Sequence, residues 1–247
     1  MTVRLQKLLA RAGVGSRRQV DRWLAEGLIR VNGAVAKPGD RAGAEDAITV
    51  RGRPVAIAAS DSTAPARHLM YHKPVGQICT RDDPQGRPTV FAELPAVRGA
   101  RWVSVGRLDI NTSGLLLFTT DGDLANALMH PSGGVKRRYQ VRVQGHPAAA
   151  DLAALRRGVE LDDGPARVAA VKAGHRRGSN AWFELTLVEG RNREVRRLWE
   201  ALGFRVNRLL RISYGGIELP RDLPPGRCRE LTAEQSALLR NAVKKDR

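Results

Sequence analysis

Apolar residues recur at helical spacing from the first residues of the chain. Leu5, Leu8, Leu9 and Ala12 fall on one side, Arg4, Lys7 and Arg11 on the other, and Gly13 is a natural stop. Ser16, with Gln19 three positions on, is a capping-box signal for a second helix that carries Val20, Trp23 and Leu24 and closes at Gly27. The stretch LIRVNGAVAKPGD then reads as strand, Asn-Gly turn, strand, and Ile48–Val50 with Val55–Ile57 completes a small sheet. These elements make residues 1–58 a small unit. The small, polar AASDSTAPA that follows has nothing to pack and predicts a linker over 59–67.

From His68 to the end the pattern turns strand-rich. Trp102–Val105, Leu115–Thr120, Tyr139–Val143, Val168–Val171, Trp182–Val188 and Val206–Ile212 suit strands, and Tyr139, Val141 and Val143 alternate with Arg138, Gln140 and Arg142 as a half-buried strand requires. Helices fit Leu124–Met129, Ala149–Arg157 and Arg193–Leu202, and Thr232 with Gln235 offers a capping box for a last one. Strands and helices mingle without regular βαβ spacing. That predicts an α+β domain over 68–247 with a mostly antiparallel sheet flanked by helices.

Charge adds the partner. The 247 residues carry 42 Lys and Arg against 25 Asp and Glu, a formal net charge of +17. Such an excess points to a polyanion, because phosphates neutralised by basic side chains release their counterions. No apolar run is long enough for a membrane span, and the N-terminus lacks the apolar core of a signal peptide. Cys79 and Cys228 stand far apart and form neither a disulfide framework nor a zinc motif. The expectation is a cytoplasmic, monomeric, nucleic-acid-binding protein without membrane contact. The five histidines lack metal-ligand spacing, and no glycine-rich nucleotide loop or nucleophile elbow is present. Neither a metal nor a cofactor is expected.

What remains is one carboxylate. In VGRLDINTSGLLLFTTDG, Asp109 stands between a basic, glycine-led turn and a strongly apolar strand. By itself such a residue is more often a helix cap or turn former than a catalyst. The surrounding blocks decide, because GRLDINTSGLLLFTTDGDLANALMHP, YHKPVGQICTRDDPQGRPTVFAELP, VKRRYQVRV and EGRNREVRRLWEALGFRVNRLLRISYGGIELPRDLPPGRCREL together resemble the RsuA/RluB family of ribosomal RNA pseudouridine synthases, its large-subunit branch above all. The first unit, through RLQKLLARAGVGSRRQVDRWLAEGLIRVNGAVA, resembles the S-four-type RNA-binding domain.

The resemblance implies the pseudouridine synthase fold and the isomerisation of uridine to pseudouridine in 23S rRNA or a large-subunit assembly intermediate. The reaction is redox-neutral and adds no atom, so it implies no cofactor. It makes Asp109 the catalytic carboxylate, which attacks the ribose or removes its 2′ proton. Arg196 becomes the basic partner that holds the carboxyl ionised and oriented, and lies off the apolar stripe of its helix. Tyr139 becomes the ring that stacks on the uracil and a source of late base chemistry. Arg107 would fill the space left by the extruded nucleotide. RNA contacts are expected from Arg4, Lys7, Arg11, Arg17, Arg18 and Arg22 in the first unit, and from Lys73, Arg191, Arg193 and Arg197 in the second. Two other readings stay open: the same chemistry on small-subunit rRNA or tRNA, and a non-catalytic ribosome-assembly factor.

Overall fold

The structure, a computed structural model, describes residues 2–57, 65–97 and 99–243. Most of the expected linker lies outside the described residues, and 65–67 carry no regular secondary structure. The described residues fall into two compact units. The first comprises those within Met1–Arg67, Pro95–Val103 and Thr120–Gly122, and the second those within His68–Leu94, Ser104–Thr119 and Asp123–Arg247. None of the described helices is long and apolar enough to cross a membrane.

The first unit runs β1 (Val3–Arg4), α1 (Leu5–Arg11), α2 (Arg17–Ala25), β2 (Ile29–Val31), β3 (Ala34–Val35), β4 (Arg41–Ala42), β5 (Ile48–Val50) and β6 (Arg53–Val55). α1 buries Leu5, Leu8 and Leu9, and α2 buries Val20, Trp23 and Leu24. The Ser16–Gln19 capping box that opens α2 is formed in both directions. The sheet order is β3-β2-β5-β6, with β1 and β4 forming a separate pair. Asn32 and Gly33 both take positive φ, at 50° and 86°, as a tight two-residue hairpin turn requires. Arg51 and Gly52 do the same, at 53° and 74°. That second turn starts β6 two residues before the expected Val55, because the turn, not the apolar pair Val55 and Ile57, sets the register Val50–Arg53. Pro95–Val103 belongs to this unit's packing: the Trp102 indole donates to the Pro95 carbonyl at 2.7 Å. Gly13 lies so close to Ala100 that a Cβ there would come within 2.8 Å of its carbonyl oxygen.

The second unit is built on β7 (His68–Lys73), β8 (Val103–Val105), β9 (Ser113–Thr119), α3 (Gly122–Met129), β10 (Arg137–Gln144), α4 (Ala149–Arg157), β11 (Val159–Leu161), β12 (Gly164–Ala166), β13 (Ala170–Arg177), β14 (Asn180–Leu187), α5 (Glu194–Ala201), β15 (Arg205–Tyr214), β16 (Ile217–Glu218), β17 (Cys228–Glu230) and α6 (Ala233–Asn241). Its main sheet runs β13-β14-β10-β15-β9-β7-β17, with β16 on β15 and β8 on β9. Along that path β15–β9 is parallel and the other pairs are antiparallel. The architecture is the expected α+β one.

Leu155 of α4 and Val195, Leu198 and Trp199 of α5 pack on the inward residues of β10, β14 and β15. Phe183, Leu185 and Leu187 of β14 are buried there while Trp182, Glu184 and Thr186 between them stay half-exposed. β9 differs: Leu115, Leu116, Leu117 and Phe118 are all fully buried, the pattern of a strand covered on both faces. β13 begins at Ala170 and continues to Arg177, well past the expected Val171. Beyond Val171 the strand is exposed, so no core packing imposes alternation there.

Candidate active site

The turn from Asp109 to Thr112 leads into β9, and its backbone is held from several directions. The Thr112 amide donates to the Asp109 carbonyl at 3.0 Å, closing the turn. Lys73, the last residue of β7, is fully buried, and its ammonium donates to the carbonyls of Thr112, Pro74 and Asp109 at 2.8, 3.0 and 3.1 Å. The Gly76 amide donates to the Ile110 carbonyl at 2.8 Å, and the Cys79 thiol meets the Leu108 carbonyl at 3.3 Å. On the far side, Arg196 of α5 donates through Nη2 to the Asn111 carbonyl at 2.9 Å and through Nη1 to the Val206 carbonyl at 3.0 Å. Every carbonyl from Leu108 to Thr112 therefore has a donor. With its backbone pinned, the turn presents the Asp109 side chain half-exposed, and among the described residues no donor bonds that carboxylate.

Two buried cations face the Asp109 charge. Burial pushes the Lys73 ammonium below the ordinary lysine value, opposed by the Cys79 thiol and by the Asp109 carboxylate. Burial likewise pushes the Arg196 guanidinium down, helped by nearby Arg193 and opposed by Asp109 and Glu200.

The start of β9 is fixed by a glycine. Gly114 has φ +109°, and a Cβ there would collide with the backbone of Arg211 in β15. Only glycine allows β9 and β15 to approach so closely. Arg211 pairs with Gly114 on one side and with Tyr139 of β10 on the other. Tyr139 thus lies in one row of the sheet with Gly114, the second residue of β9, and its ring is half-buried against the core beside Val141. A register shift between Arg138 and Tyr139 marks a bulge at this point of β10.

Asp109 and Arg196 are thereby joined through the hydrogen-bonded turn, and Tyr139 is tied to them through the sheet. Arg196 departs from expectation in two ways. It is only 9% exposed, not off the buried side of its helix, and its hydrogen bonds grip backbone carbonyls, not the carboxylate.

Among the expected RNA contacts, Arg107, Arg193, Arg4, Arg11, Arg17, Arg18 and Arg22 are exposed and Lys7 is half-buried. Arg193 sits at the start of α5 with φ +49°. Three others need correction. Lys73 is buried with its protons on carbonyls, so it supports the turn and offers nothing to a phosphate. Arg191 donates to Glu189 at 2.8 Å and to the carbonyls of Pro165 and Gly164 at 2.8 and 3.1 Å, bracing the β11–β12 hairpin. Arg197 makes a bidentate pair with Asp163 at 2.7 and 3.0 Å in the same hairpin. The turn's supports Gly76, Cys79 and Gly114 were not expected from the sequence. A lone glycine inside the apolar run SGLLLF is the one available signal, since it marks a close backbone approach.

Comparison with known proteins places these features. A family model described as RNA pseudouridylate synthase matches residues 67–201, and one described as S4 domain matches residues 3–48. The chain is 52% identical over 245 residues to the ribosomal large subunit pseudouridine synthase B of Escherichia coli (strain K12), covering 98% of this chain and 84% of that one. It is 52% identical over 242 residues to the protein of the same name from Haemophilus influenzae, covering 97% of this chain and 68% of that one. A crystal structure of a pseudouridylate synthase superposes with a TM-score of 0.66 at 27% identity, covering 96% of this chain and 99% of that one.

Proposed function

We infer that this chain, which belongs to the RNA pseudouridylate synthase family, converts a specific uridine of 23S ribosomal RNA to pseudouridine. The bond from ribose C1′ to uracil N1 breaks, the base turns, C1′ bonds to C5, and the C5 proton leaves to solvent while N1 takes up a proton. Substrate and product are isomers, so the protein supplies positioning, charge and proton transfer. The observation that carries the assignment is the half-exposed Asp109 on a turn whose carbonyls are held by Lys73, Gly76, Cys79 and Arg196. A fixed, ionised carboxylate is what both routes into the reaction require, whether it attacks C1′ or removes the 2′ proton.

In this reading Lys73 and Arg196 are positioning residues: they fix the turn from behind while the open side of Asp109 meets the nucleotide. Tyr139 supports the uracil with its ring, and its hydroxyl assists the late loss of the C5 proton. Arg107, exposed two residues before Asp109, fills the gap in the RNA stack left by the flipped base. The first unit holds the RNA backbone through the arginines of α1 and α2. The large-subunit assignment rests on the named relatives, which are ribosomal large subunit enzymes.

The test is tritium release from 23S rRNA labelled at uridine C5, together with pseudouridine mapping across all RNAs of a strain lacking the gene. Release by the purified protein and loss of one large-subunit pseudouridine are expected. A site lost from small-subunit rRNA or tRNA instead would overturn the substrate, and no release from any RNA would overturn the activity.

A further inference from the structure

We propose that the solvent-facing side of β10, β14 and β13 carries a second RNA site, which takes an unstacked, amino-bearing base of a single-stranded segment and its flanking phosphates. The inference rests on the reading of the protein as an RNA-modifying enzyme, but it concerns a different face from the one that presents Tyr139.

The first observation is an aromatic left in the open. Trp23, Trp102 and Trp199 are 8%, 4% and 0% exposed, whereas Trp182 is half-exposed on the outer face of β14. His175 of β13 stacks on it, with ring centroids 5.8 Å apart and planes 30° apart. That stack is built by the backbone. The β13 register shifts between Ala173 and Arg176, and at Gly174 a Cβ would come within 3.1 Å of the Trp182 carbonyl oxygen. A side chain in place of the glycine would press the bulge that carries His175 away from β14 by a few tenths of an ångström.

The second observation is the charge around the stack. Arg142 pairs with Trp182 on one side and with Arg208 on the other, so two guanidinium groups and the indole share one row of the sheet. The Arg142 guanidinium lies 6.0 Å from the Trp182 ring centroid, and its buried Nε has no acceptor among the described residues. In the next row Gln140, Glu184 and Lys172 are neighbours across three strands. A cavity of about 250 Å³ opens there, lined by Gln140, Lys172, His175, Trp182 and Glu184 among others.

These groups select the occupant. The cavity is smaller than the roughly 300–1,000 Å³ typical of drug-sized ligands, which suits a single base. Glu184, paired with Arg138 at 3.1 Å, puts a carboxylate into the lining. A carboxylate repels phosphate but accepts from an exocyclic amine, so the base enters and the phosphates stay at the cationic rim of Lys172, Arg142 and Arg208. Stacking against indole and imidazole is indifferent to sequence, whereas the carboxylate favours cytosine or adenine over uracil. Trp182 and Glu184 alternate with Phe183 and Leu185, which are buried in the core, so the base held here is not the target uridine.

The test uses the full-length protein and short single-stranded oligocytidylate and oligouridylate, with binding read by tryptophan fluorescence quenching and, independently, by anisotropy of labelled RNA. Oligocytidylate should bind more tightly than oligouridylate. Trp182→Ala should weaken oligocytidylate roughly tenfold, and Glu184→Gln should erase most of the preference. The exposed pair Lys172→Ala with His175→Ala gives a second variant that leaves the core untouched, and it should weaken oligocytidylate binding severalfold. On 23S rRNA labelled at uridine C5, these variants should raise KM for tritium release and leave kcat unchanged. Unchanged oligonucleotide affinity in both the Trp182 and the Lys172/His175 variants would overturn the site and leave the face to a protein partner. Tritium release by the wild-type protein distinguishes that outcome from a failure of the proposed activity.

Discussion

At the scale of single residues, the site divides work between a side chain that is open and side chains that are shut away. Asp109 is half-exposed while Lys73 and Arg196, the cations that share its field, are buried. Asp109→Asn keeps the size and the turn but removes both nucleophile and base, so turnover should fall by at least about a thousandfold with RNA affinity intact. Near-normal tritium release by the purified variant would refute the role. Tyr139→Phe keeps the ring and removes the hydroxyl. We expect normal RNA binding, little mature pseudouridine, and accumulation of a rearranged nucleotide that retains its C5 proton, read by single-turnover kinetics with mass spectrometry. Wild-type tritium release from Tyr139→Phe would leave the residue a stacking platform alone.

At the scale of elements, the site depends on strand ends. β7 ends in a lysine whose ammonium, among the described residues, bonds the backbone of the Asp109 turn and Pro74. Lys73→Met fills a similar volume but leaves buried carbonyls without a donor, at a cost of about 1–3 kcal/mol for each group left unsatisfied. A lower melting temperature and a fall in kcat larger than any rise in KM are expected. A variant with normal kcat would show that the turn holds its shape without the ammonium. Much of this level was legible in the sequence. The capping boxes at Ser16 and Thr232, the Asn32–Gly33 turn and α4 at Ala149–Arg157 are local signals, and each is formed. Asp109, Tyr139 and Arg196 were singled out by resemblance, and periodicity would not have chosen them. What stayed hidden is non-local. The burial of Lys73 and Arg196 and the bracing of the β11–β12 hairpin by Arg191 and Arg197 depend on which strands become neighbours, and from the sequence Lys73, Arg191 and Arg197 are mistaken for RNA ligands. Two-residue strands such as β1 and β4 are too short to show any period.

At the scale of the molecule, the basic first unit is proposed to hold rRNA and the second to react with it. Removing residues 1–58 should weaken rRNA binding and flatten its dependence on salt, because phosphate contacts are lost. Unchanged affinity and salt slope would mean that this unit is no RNA clamp. The same deletion strips Pro95–Val103 of the unit it packs in, Ala100 having lain against Gly13, so limited proteolysis should cut the truncated protein there first. The clamped turn also has a bearing on synthesis. Its donors are spread along the chain: Lys73 reaches Thr112 across 39 residues, whereas Arg196 reaches Asn111 across 85. The parallel partner that fixes Gly114 lies later still, at Arg211. A growing chain therefore carries Asp109, with Lys73, Gly76 and Cys79 already made, long before Arg196 and Arg211 can complete its support, and such non-local closures form slowly. Catalytic competence is therefore expected only once Arg196 and Arg211 have emerged, when most of the chain has been made.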